Sequence, residues 1–121
     1  MPHSNTPLDA LQAPALAQLD AAFRRVVEAV DPSLVRLITA RIEHTLAGAS
    51  APAEPADDRA RDVAAIVDQM LMDVSAASDD LVQRANRHFA DGGLADVVMA
   101  AYIIEARTRL RLAAERLWSL A

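Results

Sequence analysis

The chain contains no cysteine and no lysine among its 121 residues. Without cysteine it cannot form a disulfide, supply a thiolate nucleophile or bind a metal through sulfur. Without lysine it has no side-chain amine for Schiff-base chemistry or for anchoring pyridoxal phosphate. All twelve formal positive charges are therefore arginines, and any chemistry of this protein must come from carboxylates, imidazoles, hydroxyls and guanidinium groups.

Aromatic residues and glycines are also scarce, whereas alanine is abundant. Aromatics make up 3% of the chain and there are three glycines, against 27 alanines and a hydrophobic fraction of 53%. Alanine has the highest helix propensity, and no segment alternates apolar and polar residues as a half-buried strand would. The composition predicts an all-α protein, and the length suits a single domain.

The net charge and the absence of known binding motifs limit which macromolecules, metals and cofactors we expect the protein to bind. The net charge of -5 argues against a nucleic acid or an anionic membrane as partner. We find no Gly-rich phosphate loop, no Glu-x-x-His and no His pair at i,i+4, so no cofactor and no metal are predicted. No basic segment precedes an apolar run at the start, and no apolar run reaches about 18 residues. We therefore expect a soluble cytoplasmic protein.

The hydrophobic periodicity predicts about five helices. Residues 1–13 are polar and contain prolines, which indicates a flexible arm before a single domain at 14–121. Asp31 and Pro32 have the residue types of an N-cap and a first helical position, and residues 48–56 form a low-complexity loop. The predicted helices cover residues 14–30, 32–47, 57 or 58 to about 77, 78 to about 89, and 94–120.

The last helix contains eight successive uncharged residues, 97–104. Such a stretch should have no solvent face. At 1.5 Å per residue the helix would be roughly 40 Å long, whereas a compact domain of this length is about 35 Å across. We therefore expect the helix to be central and shared between subunits of a homo-oligomer, a dimer or a trimer-based assembly.

Three segments resemble a known family. They are Asp31-Pro32-Ser33-Leu34-Val35-Arg36-Leu37-Ile38 with Ala40-Arg41-Ile42, and His88-Phe89-Ala90-Asp91 before an apolar helix that ends in Arg109-Leu110. In order and spacing they resemble the carboxymuconolactone decarboxylase and alkylhydroperoxidase D-like family, over residues 14–47 and 60–118. The resemblance implies a small helical bundle of that type, with a long C-terminal helix, and a dimeric, trimeric or hexameric assembly.

The resemblance does not extend to the family's redox residues. Aligned without gaps, Arg36 stands where redox members have Glu, Gly48 and Ala51 where they have two Cys, and Pro55 where they have His. No thiolate remains for peroxide reduction. Thiol peroxidase activity is excluded, but the decarboxylase branch of the family also lacks the dithiol, so an acid-base enzyme stays possible.

Glu43 and His44 are the candidate catalytic residues, because they lie late in helix 2, just before the position that the family uses for catalysis. A carboxylate and an imidazole can share proton transfer, although adjacent helical residues diverge by about 100°. Arg36 is the candidate anion clamp. The alternatives are a solvated Glu43, a His44 at the helix C-terminus and a solvent-facing or intersubunit Arg36.

The remaining candidates for substrate binding are Arg41, Tyr102 and Glu105. Arg41 borders the apolar stripe of helix 2, where its head group could instead pair with an acid. Glu105 follows the uncharged stretch and could instead pair with Arg109 at i,i+4. For His88, near the end of helix 4, we expect a local role in capping that helix.

Two hypotheses about function follow. The first is a cofactor-free acid-base enzyme, decarboxylase- or isomerase-like, acting on a small carboxylated or cyclic metabolite, with Glu43 and His44 moving protons. The second is a non-catalytic, oligomeric relative of the same family that binds a ligand or serves assembly.

Overall fold

The computed structural model describes residues 13–120, and within them the protein is all-α. The predicted five-helix architecture with a long C-terminal helix is confirmed. The flexible arm predicted for residues 1–13 lies almost entirely outside the described residues. The helices are α1 (Ala13–Ala29), α2 (Pro32–Ala47), α3 (Asp58–Asp73), α4 (Asp79–Asn86) and α5 (Gly93–Leu120).

Asp31 separates α1 from α2 and caps α2, as the sequence predicts. Its side chain accepts a hydrogen bond from the Ser33 backbone N–H at 2.9 Å, and Pro32 occupies the start of the helix. The Arg59 guanidinium donates to the other Asp31 oxygen at 3.0 Å. The Ser33 amide and, after it, the Arg59 hydrogen bond lower the pKa of Asp31 from 3.8 to about 2. One carboxylate thus starts α2 and joins it to the first turn of α3.

Helix α2 carries the centre of the core. Leu34, Ile38 and Ile42 recur at helical spacing and are buried, because α2 packs against α3 on one side and against α5 on the other. Helical spacing predicts that Thr45 shares this apolar sector, but it is exposed near the end of the helix. The core cluster consists of Val30, Leu34, Ile38, Ile42, Val63, Val67, Val97, Ala100, Ala101 and Ile104.

Helix α3 follows the non-helical segment 48–57 and is shorter than predicted. Gly48 ends α2 with a φ of 72°, a left-handed conformation that glycine adopts without strain. Asp57 caps α3 through the Ala60 N–H. The helix ends at Asp73 because that side chain binds the Ser75 N–H and so favours a 3-10 turn, Val74–Ala76, over a further α turn. Helical spacing after Val67 and Leu71 predicts that Val74 continues the buried stripe of this helix, and that prediction is wrong, since its side chain is 53% exposed.

The break between α4 and α5 depends on two glycines. Gly92 has a φ of 79°, and a Cβ atom on Gly93 would lie 2.8 Å from the Cβ of Phe89. The His88 Nε2 lies 2.8 Å from Asp62 Oδ2 on α3. The prediction that His88 caps α4 is therefore wrong: its imidazole joins the end of α4 to α3.

Helix α5 is about 42 Å long for its 28 residues. Val97, Ala100 and Ile104 on its inner face are buried, but Met99 is 52% exposed and Tyr102 is 44% exposed. The prediction that residues 97–104 have no solvent face is therefore wrong for a single copy of the chain, because helices α1 to α4 cover only one side of α5. Among residues 13–120, no helix combines the length and apolar character needed to cross a membrane.

The core of α2 should be sensitive to truncation. Ile38 is 0% exposed, so Ile38→Ala should lower the free energy of unfolding by about 2–5 kcal/mol through lost burial and the cavity left behind. Val82→Ala, at a position 42% exposed, should change it by no more than about 0.5 kcal/mol. Urea denaturation of both variants tests this, and equal effects would contradict the assignment of the core.

The Asp31 carboxylate should make stability depend on pH at acid values. Because folding lowers its pKa from 3.8 to about 2, ionised Asp31 stabilises the fold above pH 3.8, and this contribution disappears as the pH falls through 2. Asp31→Asn keeps a good N-cap but no charge. The wild type should melt higher than Asp31→Asn above pH 4, and the two should converge towards pH 2.

Arg59→Gln is the matched variant for this comparison. It should cause a smaller loss than Asp31→Asn, because the Ser33 amide, the larger cause of the lowered pKa, still binds the carboxylate. A difference between wild type and Asp31→Asn that does not vary with pH would contradict this account.

Candidate functional site

A groove lies between α1, α2 and α5 and has a volume of about 450 Å³. We call it the α1–α5 groove. Helices α1 and α5 contribute both apolar and polar side chains and α2 contributes polar ones, so the groove combines an apolar surface with charged groups. Its lining residues are Leu16, Leu19, Asp20, Phe23, Thr39, Glu43, Ile104, Arg107, Thr108, Leu110 and Arg111.

The apolar surface of the groove comes mainly from α1. Helical periodicity places Leu16, Leu19 and Phe23 on one apolar face of α1, yet each is only partly buried. The Arg107 guanidinium lies over the Phe23 ring, 3.9 Å from its centroid, which is a cation–π arrangement. The first part of the apolar face of α1 therefore forms one wall of an open groove, while Val26 and Val30 further along the chain pack in or against the core.

An ion pair joins α2 to α5 across the groove. The Arg111 Nη2 donates to both Glu43 oxygens, at 2.6 and 3.1 Å. The two side chains are partly shielded, with 38% of Arg111 and 28% of Glu43 exposed. The Arg111 Nε is buried and is the one such side-chain nitrogen or oxygen within residues 13–120 that lacks a hydrogen-bond partner. Glu43 thus leaves part of the donor capacity of the Arg111 guanidinium unused.

The second arginine of the groove is held more loosely. Arg107 Nη2 lies 3.4 Å from Asp20 Oδ1, and the two side chains are 38% and 54% exposed. A long ion pair between exposed groups contributes little to stability and exchanges readily with water or with another anion. The Thr39 and Thr108 hydroxyls donate to carbonyls of their own helices, so the charged donors of the groove are the two arginines.

A second concavity of about 430 Å³ lies between α2, the segment 51–55 and α3. Arg41 spans it by donating to Asp68 through Nε at 2.8 Å and Nη2 at 2.5 Å. The hydrogen bond to Asp68 is the main cause that raises the pKa of Arg41. His44 Nδ1 lies 2.7 Å from the Ala49 carbonyl oxygen. The polar groups of this concavity are thus largely occupied by one another.

The structure separates the two predicted catalytic residues. Glu43 lines the α1–α5 groove, whereas His44 lines the second concavity, because neighbouring residues of a helix point about 100° apart. Arg36 is exposed on α2 and lines neither concavity. The predicted combination of Glu43, His44 and an Arg36 clamp is therefore not assembled in a single chain.

The other predicted site residues lie elsewhere. Arg41 pairs with Asp68, the structural alternative that its place at the edge of the apolar stripe suggested. Glu105 pairs with Arg109 at 2.8 Å, as the i,i+4 spacing predicts, and only 17% of its side chain is exposed. Tyr102 is exposed on the far side of α5. Neither Tyr102 nor Glu105 lines the groove.

The sequence pattern does not identify the arginines of the groove. The arginines of α5 are scattered around the helix, which predicts a solvated or interface surface for Arg107 and Arg111. The i,i+4 spacing of these two, with Leu110 between them, could have shown that they share a face. That this face meets Glu43, 68 residues away, depends on how α5 is rotated against α2.

Neither a metal centre nor a relative identifies the site. Within residues 13–120, no group of three or more His, Cys, Asp or Glu residues is arranged to hold a metal ion. Comparison of the chain with protein-family models, curated proteins and solved structures gave no match. The resemblance to the carboxymuconolactone decarboxylase family therefore stays a prediction, and function must be argued from the groove itself.

The Glu43–Arg111 pair should be energetically coupled. A double-mutant cycle of Glu43→Gln and Arg111→Met should give a coupling energy of about 1 kcal/mol, because the hydrogen bonds are charge-assisted and partly shielded. The control is Asp58–Arg61, whose side chains are 76% and 67% exposed; its coupling should stay below about 0.5 kcal/mol. Chemical denaturation measures both cycles. Equal coupling energies would contradict the partial shielding of the Glu43–Arg111 pair from solvent.

Proposed function

We propose that this protein binds a small amphipathic carboxylic acid in the α1–α5 groove. The observation that carries the proposal is the pair of arginines, Arg107 and Arg111, one helical turn apart beside the apolar side chains of a groove of about 450 Å³. Pockets of about 300–1,000 Å³ with apolar walls and a few polar groups are typical of small-molecule sites.

The arginines favour a carboxylate as the head group of the ligand. A guanidinium presents its donors in a planar fork that matches the two oxygens of a carboxylate. The ion pair that Arg107 would exchange is the 3.4 Å contact with Asp20, and Arg111 binds Glu43 through Nη2 alone. A ligand carboxylate bound to Arg107 would replace the weakest ion pair of the groove and leave the Glu43–Arg111 pair in place.

The walls favour an apolar body. Leu16, Leu19 and Phe23 from α1 face Leu110 from α5, so an alkyl chain or a ring can remove apolar surface from water on both sides. A purely polar anion would leave these side chains uncovered. We therefore assign the groove to a fatty acid of medium chain length or an arylalkanoic acid rather than to an inorganic anion.

Binding without catalysis is favoured over acid-base chemistry. The Glu43 carboxylate accepts both of its Arg111 hydrogen bonds inside the groove, and the imidazole predicted to assist it lies on the other side of α2. The cofactor-free decarboxylase- or isomerase-like enzyme is the second candidate, because Glu43 does line the groove and would reach a ligand held by Arg107.

A matched pair of ligands tests the head group. Octanoate should bind, and 1-octanol, which has the same chain but no charge, should bind at least about tenfold more weakly. Arg107→Gln should weaken the binding of octanoate by about tenfold or more and change the binding of octanol little, because it removes only the ionic contact. Isothermal titration calorimetry measures all four affinities.

Arg36→Gln is the control, since Arg36 is exposed and outside the groove. It should bind octanoate as the wild type does. No binding of octanoate by the wild type, or an equal loss in Arg36→Gln and Arg107→Gln, would contradict the proposal. If the bound acid is instead converted, and Glu43→Gln abolishes conversion but not binding, the enzyme hypothesis replaces the binding hypothesis.

A further inference from the structure

One side of α5 is apolar but uncovered. We call it the outer face, and its residues follow one another at spacings of four, three, four, three and four, which is the heptad pattern of a helix that packs along another helix. All six are exposed in a single chain. They are Ala95, Met99, Tyr102, Ala106, Arg109 and Ala113.

The inner and outer faces of α5 together explain its sequence. Its inner face supplies Val97, Ala100 and Ile104 to the core, so the outer face has no structural need to be apolar. Yet Met99 and Tyr102 are 52% and 44% exposed, and Leu117 further along is 68% exposed. A helix that is apolar on both sides is normally covered on both sides, and within one chain α5 is covered on one side only.

We propose that the outer face of α5 is a dimer interface and that its occupant is the outer face of a second copy of this chain. The charges on the face support a second copy. Glu105 borders the face and Arg109 lies on it, one turn apart and 2.8 Å from each other. An antiparallel pairing of two such helices brings Glu105 of one copy towards Arg109 of the other, so each copy presents charges complementary to those of the other.

The size of the face also fits a dimer. The 19 residues from Ala95 to Ala113 make a helix segment about 28 Å long and about 11 Å in diameter, with a half-cylinder surface of about 490 Å². Two copies would together bury about 1,000 Å², which is about the least that a specific interface needs. Ala95, Ala106 and Ala113 share the face with the large side chains of Met99 and Tyr102. Small residues let two helix backbones approach closely, and large residues of one copy can lie over alanines of the other.

This inference does not depend on the proposed function. None of the six residues of the outer face lines the α1–α5 groove. A failure of the dimer would leave the groove unaffected, and a failure of octanoate binding would leave the outer face unaffected.

The test compares the mass in solution of the wild type with that of variants that carry an introduced carboxylate on the outer face. At roughly 100 μM, the wild type should sediment at twice the chain mass of 13.0 kDa. Tyr102→Glu should be monomeric, because two unpaired carboxylates would be desolvated in the interface. Met72→Glu, which replaces an apolar side chain that is 81% exposed on α3, is the matched control and should remain dimeric.

Met99→Glu is the second disrupting variant, in case Tyr102→Glu does not fold, and helical circular dichroism verifies each variant. A monomeric wild type at this concentration would overturn the proposal. So would a dimer that both outer-face variants leave intact, since the contact would then lie elsewhere. A trimer or larger assembly would overturn the pairing of two copies.

Discussion

The burial of α2 between α3 and α5 is the constraint on which the rest of the structure depends. Ile38 and Ile42 are almost fully buried, and side chains of both neighbouring helices complete the cluster around them. With its apolar face occupied, α2 presents Glu43 to one side and Arg41 with His44 to the other. The position of α2 in the core therefore determines which polar groups meet which partners.

The two concavities flanking α2 differ in how far their charges are satisfied. In the second concavity Arg41 binds both oxygens of Asp68, so this pair stabilises the contact of α2 with α3. In the α1–α5 groove, Arg107 has a long ion pair with Asp20 and a cation–π contact with Phe23, and Arg111 binds Glu43 through Nη2 alone. Incompletely satisfied cations beside apolar side chains are what a binding site for an organic anion requires.

The sequence predicts the helices well because their ends are determined locally. Asp31 and Pro32 specify the start of α2, and that helix is confirmed at both ends. The end of α3 was predicted too late because the Asp73 side chain competes for a backbone N–H, an interaction that helical periodicity does not reveal. The burial of residues 97–104 was overestimated because periodicity shows that a helix is apolar on two sides but not how many sides its own chain covers.

The site was less predictable than the fold. The sequence identified Glu43 as a candidate, but its partner Arg111 is 68 residues away. Their meeting depends on the rotation of α5 against α2, which follows from packing of the whole core. The expected cooperation of Glu43 with His44 fails for the opposite reason: the two residues are neighbours in the sequence but not in space. Proximity in sequence suggested a shared site, whereas helix geometry directs the two side chains into different concavities.

The central claim is that the α1–α5 groove is the ligand site of this protein. The most direct measurement is backbone amide chemical-shift mapping of the isotope-labelled protein during titration with octanoate. The account predicts that the largest shifts occur at Leu19, Phe23, Arg107 and Arg111, while the amides around Arg41 and His44 change little. Shifts concentrated around Arg41 and His44, or no saturable shifts at all, would contradict it.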